Sequence, residues 1–198
     1  MSKSSWETIL SEAYASLESD YQRFLEEDEN YFPSKENYFN AFNTLPKEKV
    51  KYILFGQDPY PRKESAGGYA FIDTKVQNLF SSSGLSKEVN RATSLRNFMK
   101  MALVASERLA IDDTSQEAIS LLDKSQLIDS IEELRLNVEK NGVLLLNTAL
   151  IFTDKKSTAK HVKAWKPFVQ TLLNGLEDDA PKLILFGAHA KDLKKQFS

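Results

Sequence analysis

Apolar residues recur along the chain with two different spacings, and each spacing predicts a different kind of element. A spacing near 3.6 residues, typical of amphipathic helices, runs through four segments, at residues 5–28, 93–109, 116–139 and 157–176. A further helix start is predicted at Pro33 and Ser34, with Tyr38, Phe39 and Phe42 on its buried side. Each of these helices is therefore expected to bury one face.

Three short apolar runs lie between the predicted helices, at residues 50–55, 142–146 and 182–186. Each run is too short for an independent helix and is apolar nearly throughout, as in a strand that is buried on both faces. The alternation of such strands with helices predicts an α/β fold, a three-layer sandwich with a short, mainly parallel central sheet flanked by helices. We expect one domain over residues 1–198.

Polar residues follow each of the three predicted strands. The first strand is followed by Gly-Gln-Asp-Pro-Tyr (residues 56–60, the GQDPY segment), the second by Asn147 and Thr148, and the third by residues 187–189, which include His189. Parallel sheets bind ligands at the carboxyl ends of their strands, because the loops diverge there. The sequence therefore predicts a binding site at this edge of the sheet.

The GQDPY segment places an amide, a carboxylate and a phenol within four positions, between a glycine and a proline that shape the turn. For an isolated Asp-Pro pair, the ordinary interpretation is a tight turn in which the aspartate accepts backbone N–H bonds. The whole five-residue string, placed directly after a strand, resembles the signature of the main uracil-DNA glycosylase family. Five specified positions make this resemblance much more specific than a single motif residue.

Further segments extend this resemblance in the same order along the chain, over residues from about 30 to 195, while residues 72–140 mainly diverge. They are found at residues 31–33, 39–42, 68–71, 142–148, 165 and 185–190. The resemblance implies an enzyme that cuts the bond between uracil and deoxyribose in DNA after flipping the base out of the duplex.

Five residues are given roles by the resemblance. Asp58 would stabilise the positive charge that develops on the sugar and orient the attacking water. Phe71 would stack on the flipped uracil, although a lone phenylalanine is more often a core residue. Asn147 would read the uracil edge, Tyr60 would occupy the space of a thymine methyl group, and Gln57 would contact the base.

The charge pattern by itself argues mildly against a nucleic-acid partner, because 26 basic and 28 acidic residues give a net charge of −2. Lysines nevertheless gather at residues 155–166, a run whose ordinary interpretation is a solvated helix face. The resemblance places a DNA-contacting loop here and implies phosphate contacts by Lys156, Lys160 and His161. Ser94 is carried over as a further phosphate contact.

Composition narrows the chemistry and the setting. The chain has no cysteine and two histidines, so Cys-ligated zinc and iron–sulfur sites and a His-rich metal centre are excluded. The mechanism that the resemblance implies requires neither a metal nor an organic cofactor. No secretory signal and no apolar run of about 18 residues is visible. We therefore expect a cytoplasmic protein that does not cross a membrane. The resemblance implies that it acts on uracil-containing DNA, and we expect a monomer.

Two departures from the family pattern leave alternatives open. Pro61 stands where the common signature ends in histidine, and the sequence reaches Ser198 without the family's His-Pro-Ser motif. Either the sequence is a portion of a longer chain, or the protein lacks the functions of that motif. The alternative to an enzyme is accordingly an inactive DNA-binding or partner-binding module of the same fold. A generic nucleotide-binding α/β protein fits less well, since no Gly-rich phosphate loop follows the first strand.

Overall fold

The computed structural model describes residues 5–176 and 181–186. The described residues divide into two compact units, the first formed by residues 5–70, 138–176 and 181–186 and the second by residues 71–137. The expectation of one domain over residues 1–198 stays a prediction. The elements, in chain order, are α1 (Glu7–Ala15), α2 (Ser19–Glu27), α3 (Asn40–Thr44), β1 (Tyr52–Gly56), β2 (Phe80–Ser81), β3 (Gly84–Leu85), α4 (Lys87–Arg91), α5 (Thr93–Ala105), α6 (Gln116–Ser120), α7 (Ile131–Lys140), β4 (Val143–Asn147), α8 (Thr158–Asn174) and β5 (Lys182–Leu185).

A parallel three-stranded sheet forms the centre of the first unit, with the strand order β4-β1-β5. Ile53 in the central strand lies opposite Leu144 on one side and Leu183 on the other, and Gly56 lies opposite Asn147. All three strands occur where the short apolar runs predict them. The α/β class and the parallel central sheet are therefore confirmed.

Side chains on both faces of the central strand are buried, as the continuous apolar runs predict. Ile53 and Phe55 belong to one hydrophobic core together with Leu144 and Leu146 of β4 and with residues of α1, α2 and α8. The intervening Leu54 is 3% exposed, although it points to the opposite face of the sheet. A strand buried in this way holds its carboxyl end in a fixed position.

Trp165 of α8 is the centre of an aromatic cluster in this core and is fully buried. Its ring meets Phe168, Tyr38 and Tyr21 edge to face, at centroid distances of 5.1, 5.8 and 6.2 Å. Truncation of a buried tryptophan to alanine typically costs about 3–5 kcal/mol of stability. The cluster therefore fixes α8 against the helices of the N-terminal part of the chain.

The helices are shorter and more broken than the apolar spacing predicts. The segment at residues 5–28 forms α1 and α2, and Gln22 Nε2 donates to the carbonyl of Leu17 in the break, at 2.8 Å. Leu17 is itself buried, so the apolar period continues through a turn that is not helical. Residues 116–139 likewise form α6 and α7, and the backbone N–H of Ser125 donates to Asp123 in the loop between them.

The second unit contains the short hairpin β2-β3 and the helices α4 to α6, with α7 running on into the first unit. Gln116, the first residue of α6, accepts a hydrogen bond from the backbone N–H of Leu85 at 2.8 Å and so ties the helix to the hairpin. Within the ranges described, no helix has both the length and the apolar character required to cross a bilayer.

Candidate active site

The ends of β1 and β4 are joined by hydrogen bonds beyond the last pair of the sheet. The backbone N–H of Thr148 donates to the carbonyl of Gly56 at 3.0 Å. The carbonyl of Gln57 accepts from the Thr148 hydroxyl at 2.8 Å and from the backbone N–H of Ala149 at 2.9 Å. The start of the GQDPY segment is therefore held in a defined orientation beside the residue that ends β4.

Asn147 is the last residue of β4 and is buried, with 5% of its surface exposed. None of the residues that the structure describes forms a hydrogen bond with its side-chain amide. The amide atoms of Asn147 are not among the buried side-chain atoms that lack a partner, so they remain accessible at the end of the strand. The Asn147 amide therefore retains the capacity to bind a ligand through one donor and one acceptor.

Asp58 lies two residues beyond β1 and is half-buried. Its Oδ2 atom accepts a hydrogen bond from the hydroxyl of Thr158, the first residue of α8, at 2.9 Å. The N-terminal end of a helix also favours a nearby negative charge. The carboxylate is therefore held at the point where a strand end and a helix start meet.

An open cleft of about 580 Å³ runs along this carboxylate. Gln57 and Asp58 line it from the side of β1, and Lys155, Lys156 and Thr158 line it from the loop before α8 and its first turn. A carboxylate and two lysines thus line one cleft. The lysines can attract a negatively charged ligand to the cleft. The carboxylate can then stabilise positive charge that develops on that ligand during a reaction.

The loop that carries these two lysines is ordered by Asp154. Its carboxylate accepts from the backbone N–H of Lys156 at 2.8 Å and from the hydroxyl of Ser157 at 2.7 Å. The hydrogen bonds from Ser157 and from the Lys156 backbone lower the pKa of the Asp154 carboxyl. The loop therefore has a defined shape at neutral pH, while the lysine side chains remain exposed.

His161 lies in the core, with 3% of its surface exposed, and does not face the cleft as a phosphate ligand would. Nδ1 is 2.7 Å from the Tyr21 hydroxyl, and Nε2 is 2.9 Å from the Thr153 hydroxyl. Burial, and secondly the charge of Lys160, lower the pKa of His161. Both ring nitrogens are engaged by protein hydroxyls, so the contacts within the protein do not favour the phosphate contact of His161, which stays a prediction.

The other predicted DNA contacts are exposed. Lys156 lies in the loop before α8 and Lys160 in the first turn of that helix. Ser94 is the second residue of α5 in the second unit and is also exposed. Their phosphate contacts stay predictions.

Phe71 has an unusual backbone, with a φ of 65°. Bulky residues rarely adopt positive φ, and holding one there costs on the order of 1–3 kcal/mol, a feature that is concentrated at functional sites. Phe71 is the first residue of the second unit, where its half-buried ring lies 5.8 Å from that of Phe98. Its stacking role stays a prediction.

Tyr60 ends the GQDPY segment and is half-buried. Its carbonyl accepts a hydrogen bond from the backbone N–H of Arg62 at 2.8 Å, which closes the turn after the segment. The exclusion of a thymine methyl group by Tyr60 stays a prediction.

The sequence analysis named Thr148 only as a residue after the second strand, without a role, and missed Thr158. Thr148 joins the strand ends, and Thr158 donates to Asp58. Thr158 lies in the lysine-rich stretch, which was interpreted through its charge alone. Its position directly before the apolar stripe of α8, after Ser157, is typical of a helix start, where a hydroxyl can reach a neighbouring group. The residues that follow β5, including His189, lie outside the described residues.

Metal-ligand clusters are absent from the described ranges, 5–176 and 181–186, where no group of three or more His, Asp or Glu side chains could hold an ion. The Asp58 carboxylate, which lines the cleft, accepts a hydrogen bond from the hydroxyl of Thr158, and Asp154 in the loop before α8 accepts one from Ser157.

The fold and the site together define an α/β protein with a carboxylate and an amide at the ends of neighbouring parallel strands. The chain is similar to the crystal structure of the wild-type UNG of Nitratifractor salsuginis, with 55% identity and a TM-score of 0.89. The match covers 96% of this chain and 77% of that one. The chain belongs to the uracil-DNA glycosylase family.

More distant relatives agree with this assignment. The uracil-DNA glycosylase of Francisella tularensis is 27% identical over 172 residues, which cover 82% of this chain. This chain spans 61% of the length of that curated relative. The crystal structure of the mimivirus uracil-DNA glycosylase, at 20% identity and a TM-score of 0.60, shares the fold and matches 97% of this chain and 63% of that one. No family model matches the sequence.

Proposed function

We propose that the protein is a uracil-DNA glycosylase, an enzyme that hydrolyses the N-glycosidic bond between uracil and deoxyribose in DNA. The observation that carries this proposal is the pair formed by Asp58, two residues beyond β1, and Asn147, the last residue of the neighbouring parallel strand β4, in a member of this family. We also propose that it acts as a monomer in the cytoplasm.

Binding begins with the DNA backbone. The exposed Lys155 and Lys156 line the same cleft as Asp58, so a phosphate held by them brings the neighbouring nucleotide to the carboxylate. The target base must leave the stack to reach this cleft, at a cost of a few kcal/mol that is smallest for a weakly paired base. The net charge of −2 does not oppose this step, because phosphate contacts depend on the charges that line the cleft itself.

Base selection is assigned to Asn147. Its amide can donate to O4 of uracil and accept from N3–H at the same time, whereas the edge of cytosine presents the reverse pattern. The buried position of Asn147 strengthens this discrimination, because a wrong base would leave the amide unpaired. By family resemblance, Tyr60 excludes the 5-methyl group of thymine, Phe71 stacks on the flipped ring, and the Gln57 side chain contacts the base.

Bond cleavage is assigned to Asp58. As the bond from the sugar C1′ to uracil N1 breaks, its electron pair leaves with the base and positive charge develops on the sugar. The Asp58 carboxylate stabilises that charge and orients a water molecule, whose oxygen bonds to C1′ as it gives up a proton to the solvent, while the uracil anion takes up a proton from the solvent. The Asn147 donor stabilises the negative charge on uracil O4. The products are free uracil and an abasic sugar.

The experiment is the release of free uracil from an oligonucleotide with one uracil, catalysed by the full native protein. An otherwise identical oligonucleotide with thymine is the substrate control, and Asp58→Asn is the protein control. Release from the uracil strand alone, lost in Asp58→Asn, supports the proposal. Tight binding of the uracil strand with no release would overturn it in favour of a binding module.

A further inference from the structure

The hydrogen bond between Thr158 and Asp58 joins two residues that are 100 positions apart in the sequence. Thr158 Oγ1 donates to Asp58 Oδ2 at 2.9 Å, and both residues line the cleft. A threonine in a first helical turn often caps its own helix, but Ser157 occupies the cap position here. The Thr158 hydroxyl is instead directed out of its helix to the carboxylate.

We propose that Thr158 is a positioning residue for the reaction, whose hydroxyl holds the Asp58 carboxylate in its productive orientation. This inference rests on the proposed glycosylase function. Electrostatic stabilisation depends on charges that are already oriented before the reaction, and a displacement of about 1 Å can cost on the order of 100-fold in rate. The directional hydrogen bond from Thr158 restricts rotation of the carboxylate in this way.

The helical turn that carries Thr158 is itself fixed from both sides. On the N-terminal side, Asp154 holds the loop through Lys156 and Ser157. One turn later, His161 is fixed between the hydroxyls of Tyr21 and Thr153. The Thr158 hydroxyl is therefore presented from a rigid support, as a positioning residue requires.

A neutral donor suits this role better than a cation would. An ammonium group bonded to Asp58 would offset the negative charge that the developing positive centre needs. A hydroxyl fixes one carboxylate oxygen and leaves the net charge in place. The nearby Lys155 and Lys156 are exposed, which leaves their charge to the DNA backbone.

Three variants test the inference. Thr158→Val removes the hydroxyl at nearly constant shape, and Thr158→Ser retains it. Thr44→Val is the matched control, because the Thr44 hydroxyl also donates to a distant carboxylate, that of Glu139 at 2.7 Å, and neither residue lines the cleft. Should Thr158→Val not give folded protein, Thr158→Ala removes the same hydroxyl with a smaller side chain.

Uracil release is measured for each variant as kcat and KM, beside DNA affinity from fluorescence anisotropy. We expect Thr158→Val to lower kcat by roughly tenfold or more, with KM and affinity nearly unchanged, because the lost bond is one to a charged group. Thr158→Ser should stay within about twofold of the wild type, since its hydroxyl can make the same bond. Thr44→Val should keep the wild-type kcat.

The pH profile of kcat gives a readout that a loss of folding stability would not move. Removing a donor makes a carboxylate easier to protonate, so the acid limb of the profile should shift to higher pH in Thr158→Val and not in Thr44→Val. Within an Asp58→Asn background, Thr158→Val should have no further effect on kcat.

The outcomes separate this inference from the proposed function. A wild type that releases uracil, with Thr158→Val equal to it in kcat and in pH profile, would overturn the positioning role and leave the glycosylase proposal intact. The same result follows if Thr158→Ser is as impaired as Thr158→Val, or if Thr44→Val matches it. A wild type that binds DNA but releases no uracil would overturn both.

Discussion

Gly56 and Asn147 face each other at the ends of β1 and β4, so close that a methyl group on Gly56 would overlap with the side-chain oxygen of Asn147. The same methyl group would lie 3.0 Å from Cβ of Ala70. The first residue of the GQDPY segment is therefore a glycine because of close approach. The Asn147 amide can keep its orientation only while residue 56 has no side chain.

Gly56→Ala is accordingly expected to displace the Asn147 amide and to lower uracil release by about 100-fold, the cost of misplacing a catalytic contact by about 1 Å. Because Gly56 also accepts from Thr148, some loss of thermal stability is expected. The measurements are kcat/KM for uracil release and the thermal midpoint. Wild-type kcat/KM in a folded Gly56→Ala variant would show that Asn147 has room to move without consequence.

Asp58→Asn keeps the shape of the side chain and removes its charge. We expect turnover to fall by about 100–1000-fold, in the range found when one preorganised electrostatic group is removed. Affinity for uracil-containing DNA should change little, because a carboxylate does not attract phosphates. Single-turnover rates and anisotropy titrations check both. Parallel losses of binding and turnover would identify Asp58 as a structural residue.

Sequence-based prediction and structure agree best for the three strands of the central sheet and the residues at their carboxyl ends. Continuous apolar runs predicted β1, β4 and β5, because strands buried on both faces need apolar side chains at every position. Polar residues after two of those strands, among them Asp58 and Asn147, then predicted the site, since parallel strands bring their carboxyl ends to one edge. At these strand ends, the local apolar pattern and the parallel pairing of the strands lead to the same prediction.

The prediction for His161 came from the resemblance, which implied a phosphate contact in the lysine-rich stretch. His161 falls on the same helical stripe as Trp165, Phe168 and Leu172, all buried. The 3.6-residue period alone would have placed it in the core. The partner of Thr158 could not be found in this way, because a hydrogen bond across 100 positions depends on the tertiary fold.

Asn147→Asp is expected to weaken the preference for uracil and to permit some release of cytosine, because a protonated carboxyl can present the edge that cytosine requires. Uracil release should fall at the same time. Product analysis of oligonucleotides that differ in one base, uracil or cytosine, measures both. An unchanged ratio of the two products would show that Asn147 does not read the base.

Tyr60→Ala is expected to open space beside C5 of the pyrimidine and to allow measurable thymine release, with slower uracil release. The control is Tyr60→Phe, which retains the ring and should continue to exclude thymine. Release of thymine is followed with a T·A duplex and the native protein in parallel. No thymine release by a folded Tyr60→Ala variant would mean that another group excludes the methyl.

Stability should depend on pH through His161. Its pKa is lowered from the usual value of 6.5, by burial first and by the charge of Lys160 second, against an opposing effect of Asp154. The unfolded chain therefore binds a proton more readily than the folded one. The contribution of neutral His161 is fully present above about pH 6.5 and is lost as the pH falls from there through the lower folded-state pKa.

The free energy of unfolding, measured by urea denaturation, should accordingly fall between pH 7 and pH 5. His161→Phe keeps an aromatic ring beside Tyr21 and removes the titrating group, and the other histidine of the chain is present in both proteins. The variant should be less stable at pH 7, because the Tyr21 and Thr153 hydroxyls lose their partner. The stability gap between the two proteins should then narrow toward pH 5. A gap that stays constant with pH would mean that the pKa of His161 is the same in the folded and unfolded chain. Neutral His161 would then not be the source of the pH dependence.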